Sequence, residues 1–148
     1  MILKKLLAEG KLRKHKTSPG EVAALLAIVD RDLRDASQRD LSTDRRFATA
    51  YNAALQLATI TLHTAGYRTS GHGHHWATLQ VLPEIMGSKA EERRDYLDAC
   101  RTKRNVADYD RAGEISEGEV SEILDEVQKF RADLLEWLRT RHPHLLKR

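Results

Sequence analysis

Residues 116–143, SEGEVSEILDEVQKFRADLLEWLRTRHP, read as one long amphipathic helix with both ends marked. Ser116 and Glu119 make a Ser-x-x-Glu capping box, in which the serine oxygen accepts from the third helical N–H and the glutamate reaches back to the serine N–H. Val120, Ile123, Leu124, Val127, Phe130, Leu134, Trp137 and Leu138 then recur at three- and four-residue spacing, the period of one helix face. The stripe stops at His142-Pro143, because the residue before a proline is pushed out of helical geometry.

The same grammar repeats upstream. Ser18 with Glu21 and Ser88 with Glu91 give two more capping boxes, and Pro19 takes the first helical position, where a missing N–H goes unnoticed. Val22, Leu25, Leu26, Val29 and Leu33 predict a helix of about 17 residues. A second long helix is expected from Thr43, carrying Phe47, Tyr51, Ala54, Leu55, Ala58 and Leu62, and stopped by Gly66 where a left-handed cap is usual. Residues 67–73 then form its exit loop, residues 74–86 a shorter helix ended by Gly87, and the helix after Ser88 runs to about Asp110. Residues 2–13 add one more helix. No stretch alternates with period two, and no Asn-Gly or Asp-Gly hairpin signal occurs. The expected fold is all-α: an up-and-down bundle of four main helices with one or two shorter additional helices, in a single domain whose basic N-terminal segment, 1–17, is helical.

Composition narrows the function classes. With 41% apolar and 32% charged residues, three Pro and eight Gly in 148, the chain is neither collagenous nor of low complexity. Its longest apolar run, Val22 to Val29, falls well short of the roughly 20 residues that cross a bilayer, so no membrane partner is expected. The lone Cys100 has no internal disulfide partner, and the first residues lack the apolar core and cleavage site of a secretory signal, so the cytoplasm is the expected location. Net charge is only +3, yet Lys4, Lys5, Lys11, Arg13, Lys14 and Lys16 stand against Glu9 alone in residues 1–16. Such an arm either meets phosphates or is a solvated helix face.

The penultimate helix breaks its own pattern. At 100° per residue, taking Leu97 as zero, Ala90 and Cys100 lie about 20° and 60° away and define the inward stripe. Arg104 and Asp108 also fall about 20° from its centre and Arg101 about 40°, so the stripe becomes polar in its last two turns. An unpartnered buried guanidinium costs several kcal/mol, so this face is either a paired structural network, with Arg104 and Asp108 four residues apart, or an opening to a cleft or second subunit.

Arg104-Asn105-Val-Ala-Asp-Tyr109, near the end of the penultimate long helix of a small all-α bundle, resembles the signature of the HEPN family (higher eukaryotes and prokaryotes nucleotide-binding domains), which is Arg, a polar residue, further residues and a His. The segment Gly66-Tyr-Arg-Thr-Ser-Gly-His-Gly-His-His75 is similar to a stretch in a bacterial subgroup of that family. The resemblance implies a homodimer whose two motif helices face each other across a cleft. It also implies one of two activities: metal-independent RNA cleavage, often by a toxin paired with a nucleotidyltransferase antitoxin, or non-catalytic binding of RNA or a nucleotide. By carry-over, Arg104 holds phosphate and Asn105 orients it or the partner helix. Arg101, Arg68, His74 and His75 are candidate phosphate contacts.

Tyr109 stands where the family has its His. An unperturbed tyrosine titrates near ~10 against ~6.5 for histidine, so it is a poor base at neutral pH. Arg111 stands where one toxin subgroup has a modifiable tyrosine. Two expectations follow: a binding module for RNA, a nucleotide or a protein partner, and, as the alternative, an endoribonuclease using Arg104, Asn105 and Tyr109 with help from a histidine in 72–75. No cofactor or metal is expected, because no carboxylate or cysteine accompanies His63, His72, His74 and His75 at a familiar zinc-ligand spacing. Trp76, Trp137 and Phe130 are expected in the core, Cys100 as a small buried residue, and Lys103 reaching to solvent.

Overall fold

The computed structural model describes residues 1–71, 75–109 and 114–147, excluding the side chains of 106–109. The fold is all-α, with four long helices: α2 (Pro19–Ala36), α3 (Thr43–Thr64), α6 (Glu91–Tyr109) and α7 (Glu117–Arg141). The capping box at Ser116 forms in full, with Ser116 Oγ accepting from the Glu119 N–H at 3.1 Å and Glu119 Oε1 accepting from the Ser116 N–H at 3.0 Å. Val120, Ile123, Val127, Phe130, Leu134 and Leu138 of α7 are all sealed from water. Burial of such side chains contributes roughly 1.5–3 kcal/mol each. Trp137 is partly buried against the same core.

Helix α3 is the axis of the bundle and packs on α2, α6 and α7. Its Ala50, Ala53, Ala54 and Ala58 are buried, and small side chains there let neighbouring helices approach closely. Arg46 is buried in the same helix: its Nε donates to the Ala36 carbonyl at 2.8 Å and Nη1 to Glu117 Oε1 at 2.9 Å. It thus satisfies an orphan carbonyl at the end of α2 and ties it to the start of α7.

Four expectations are corrected. Residues 2–13 are not one helix: α1 spans Ile2–Ala8, the chain turns through Gly10 at φ +75°, and β1 (Leu12–Lys14) follows. Residues 67–69 are not loop but β2 (Tyr67–Thr69), antiparallel to β1 with Leu12 opposite Thr69 and Arg13 opposite Arg68. Three-residue strands are too short to show a period in the sequence. The helix expected at 74–86 is two, α4 (His75–Gln80) and α5 (Leu82–Met86), because Pro83 has no N–H for the Leu79 carbonyl and its ring clashes there. Ser88 does not cap; residues Ser88–Ala90 form a 3-10 turn after Gly87, and α6 begins at Glu91.

A second, smaller apolar cluster of Leu6, Leu12, Leu62, Ala77 and Val81 seats the N-terminal segment on the end of α3. Glu84 of α5 accepts from the N–H groups of Ile2 (2.7 Å) and Leu3 (3.2 Å), satisfying two orphan donors of α1. Lys4, Lys5, Lys11, Arg13, Lys14 and Lys16 are all exposed. No helix among the described residues is long and apolar enough to cross a membrane.

Candidate functional site: the Arg104 cleft

Leu97 and Cys100 of α6 are buried, as the wheel requires, and Arg104 one turn further is half-buried rather than sealed. Its guanidinium carbon lies 5.8 Å from the centroid of the Tyr51 ring, a cation over the face of a buried aromatic. The same arginine borders a cleft of about 340 Å³ lined by Asp32 of α2, Arg45, Ala48, Thr49 and Asn52 of α3. Helices α2, α3 and α6 therefore supply three walls of one opening.

Asp32 is buried at 4% exposure. Its Oδ1 accepts from Arg31 Nε (3.1 Å) and Nη2 (3.0 Å), and its Oδ2 from Asn52 Nδ2 (2.6 Å). The carboxylate is thus matched by Arg31, and Arg45 and Arg104 also line the cleft. A guanidinium can pair two of its N–H groups with two oxygens of a carboxylate or a phosphate.

Near Tyr51 lies His75, the first residue of α4, with ring centroids 6.1 Å apart. Burial, with the charges of Arg104 and Arg101, holds the His75 imidazole below its ordinary value, so it is neutral at pH 7. Burial pushes the Tyr51 phenol up although Arg101 and Arg104 pull it the other way, so it is a neutral donor. Its hydroxyl is enclosed and has no hydrogen-bond partner among the described residues. Arg101 donates to Asp98 Oδ1 at 2.9 Å, and Asn105 is exposed.

Of the residues singled out from sequence, Arg101, Arg104 and His75 meet around Tyr51. Arg68 does not join them. It is exposed on β2, and its charge reaches His63, twelve residues and so about 18 Å along α3 from Tyr51. His72, His74, Arg111 and the side chains of Asp108 and Tyr109 lie outside the described residues. Trp76 is not the expected packing anchor: it is 43% exposed, beside His75. Lys103 pairs with Glu119, closing α6 onto the start of α7. Cys100 is buried and its thiol is pushed up to about 11 by that burial, which leaves it a packing residue rather than a nucleophile.

Tyr51, Asn52 and Asp32 were not anticipated. The signal for Asp32 is the one that flagged Arg104: it follows Val29 by three residues, a charge on the apolar stripe of its helix. A larger groove of about 580 Å³ runs between α6 and α7 past Arg93, Tyr96, Asp133, Glu136 and Trp137. It contains none of the motif residues. Arg93 is engaged there, bonded to Asp133 at 2.9 Å and stacked 4.8 Å over Phe130.

Comparison of the chain with protein-family models, with curated proteins and with solved structures finds no match.

Proposed function

We propose that this chain is a HEPN-like binding module that holds an anionic ligand, RNA or a nucleotide, on the Arg101–Arg104 face of α6, and that two copies pair with these faces toward each other. One observation carries the reading: the guanidinium of Arg104, on the apolar stripe of its helix, borders an open cleft instead of being sealed in the core. Exposed Trp76 and Asn105 support it, since an exposed indole suits base stacking or contact with a second chain. The resemblance in the motif further suggests a nucleotidyltransferase as partner and a toxin-antitoxin setting.

A second reading, the metal-independent endoribonuclease, is favoured by His75. A neutral imidazole near Arg104 can take the proton of a ribose 2′-OH while the guanidinium stabilises charge growing on phosphate, a division of labour that Tyr109 alone does not supply.

Labelled single-stranded RNA titrated against the protein separates these readings. Under the binding proposal, affinity falls as salt rises and drops at least tenfold in Arg104→Ala, on the scale of one charge-assisted hydrogen bond of about 1.5–3 kcal/mol. Affinity indifferent to both would end it, and a monomer in sedimentation at micromolar concentration would end the pairing. Cleavage in the presence of EDTA, lost in His75→Gln, selects the second reading.

A further inference from the structure

We propose a binding site for a divalent transition-metal ion of the zinc class, formed by His15, Glu21 and His63 at the end of α3 remote from the Arg104 cleft. Three separate segments bring these residues together: the exit of β1, the first turn of α2 and the last turn of α3. His15 Nε2 lies 2.7 Å and His63 Nδ1 3.0 Å from the same Glu21 oxygen, and one ligand atom from each residue falls within 4.8 Å of the others. The two imidazoles face each other with centroids 4.5 Å apart.

Two imidazoles and a carboxylate are a donor set suited to zinc, with a fourth position left for water. An ion bound at about 2.0–2.1 Å in tetrahedral geometry holds neighbouring ligand atoms about 3.3–3.4 Å apart. The two spacings to Glu21, 2.7 and 3.0 Å, need to open by tenths of an ångström, the two imidazole nitrogens lie within 4.8 Å of one another, and Glu21, with 34% of its side chain exposed, has room to turn. That exposure also gives an ion its way in. His63 Nδ1 is enclosed, and although it is close to Glu21 it makes no well-directed hydrogen bond among the described residues. It is an enclosed nitrogen 3.0 Å from a carboxylate oxygen.

The surroundings hold the ligands in place. Thr17 Oγ1 donates to Glu21 Oε1 at 2.6 Å, an outer partner of the kind that orients a ligating carboxylate. The His15 N–H donates to the Gly66 carbonyl at 2.9 Å, fixing the histidine against the end of α3. Gly66 has φ +98°, a conformation that glycine adopts without strain. Arg68 acts the other way, since its positive charge reaches His63. An ion must also replace the bond between His15 and Glu21. A bound ion would tie the β1–β2 sheet to the bundle and raise thermal stability.

The test uses the full chain, stripped with EDTA and titrated with zinc chloride by calorimetry and with cobalt chloride by visible absorption. The expected result is one ion per chain and an intense cobalt spectrum of low coordination number. Affinity should weaken at least tenfold in both Glu21→Gln and His63→Ala and strengthen severalfold in Arg68→Ala. Circular dichroism checks that each variant folds. If His63→Ala does not, Glu21→Gln and the exposed Arg68→Ala still decide. No saturable binding, or binding that survives Glu21→Gln unchanged, overturns the proposal, as does binding lost only when His142 and His144 are replaced.

Discussion

Helix α3 carries a polar cluster toward each end, and the two are built on opposite terms. Around Tyr51, cations from α6 stand near an enclosed ring whose hydroxyl has no partner among the described residues, beside an open cleft. Around His63, one carboxylate gathers a hydroxyl and an imidazole at hydrogen-bonding distance, with a second imidazole close by. The first cluster includes an arginine that lines an open cleft, which is what a binding surface needs. The second has most of its capacity satisfied, which is what holds a fold together or presents a preformed set of ligands. The difference shows why polar residues in a core cannot be ranked by burial alone: what matters is whether their partners are inside or outside the chain.

The contrast can be tested in order of expected effect. Glu21→Ala in the metal-free protein removes the acceptor of His15 and Thr17 and should cost about 2 kcal/mol of stability, the scale of hydrogen bonds to a charged group tempered by partial exposure. Urea unfolding measures it, and a loss below about 0.5 kcal/mol would mean that the His63 end is not a stabilising cluster. Arg104→Ala should instead leave the unfolding midpoint within about 1 kcal/mol of the parent while RNA affinity falls, so a large loss of stability with unchanged binding would reverse the two regions' roles.

Acid should destabilise both clusters, the His63 end through an imidazole that burial also holds low. In the unfolded chain the His75 imidazole takes up a proton near ~6.5, while in the folded chain burial and the two arginines resist it. The unfolded state therefore binds more protons below that point. Stability from this residue is present above the unfolded value and is lost as pH falls through the folded one. His142, also held low by burial and by His144 and Arg141, adds with the same sign. Melting temperature should thus drop between pH 7 and 5, and His75→Asn should flatten part of that slope. Equal slopes in parent and variant would remove His75 from the buried side of the cleft. The smallest effect is expected from Tyr51→Phe. Deleting an enclosed hydroxyl with no partner among the described residues should change stability by less than about 0.5 kcal/mol, whereas a larger loss would show that the hydroxyl is bonded in the folded chain.

Much of this was legible in the sequence where the relevant interaction is local. Ser116 and Ser18 cap their helices from positions adjacent in the chain, as read, whereas Ser88 does not and Ser42, which caps α3, was missed; the α7 stripe follows from a fixed period, so its inward face could be read directly. The wheel also put Arg101 and Arg104 on one face of α6. Glu21 illustrates the limit. As the fourth residue of Ser-x-x-Glu it read as half of a capping box, and Ser18 does cap, but its carboxylate turns instead to His15 and Thr17 because stronger partners are in reach. Trp76 shows a related limit: nothing in its local sequence says whether a neighbour covers it.

By itself, then, the sequence determined that the chain forms long amphipathic helices, where they start and stop, and that one of them carries cations along its buried stripe. Those properties depend on contacts within about four residues, the reach of helical hydrogen bonds and side-chain spacing. Only the tertiary structure decided that Asp32, Tyr51 and His75 surround Arg104, that Arg68 belongs to the other end of α3, and that His15, Glu21 and His63 converge. Those meetings depend on how α2, α3, α4 and α6 pack and on a small sheet of two three-residue strands, and the packing is fixed by the summed burial of the whole core, a quantity that no short stretch of sequence contains.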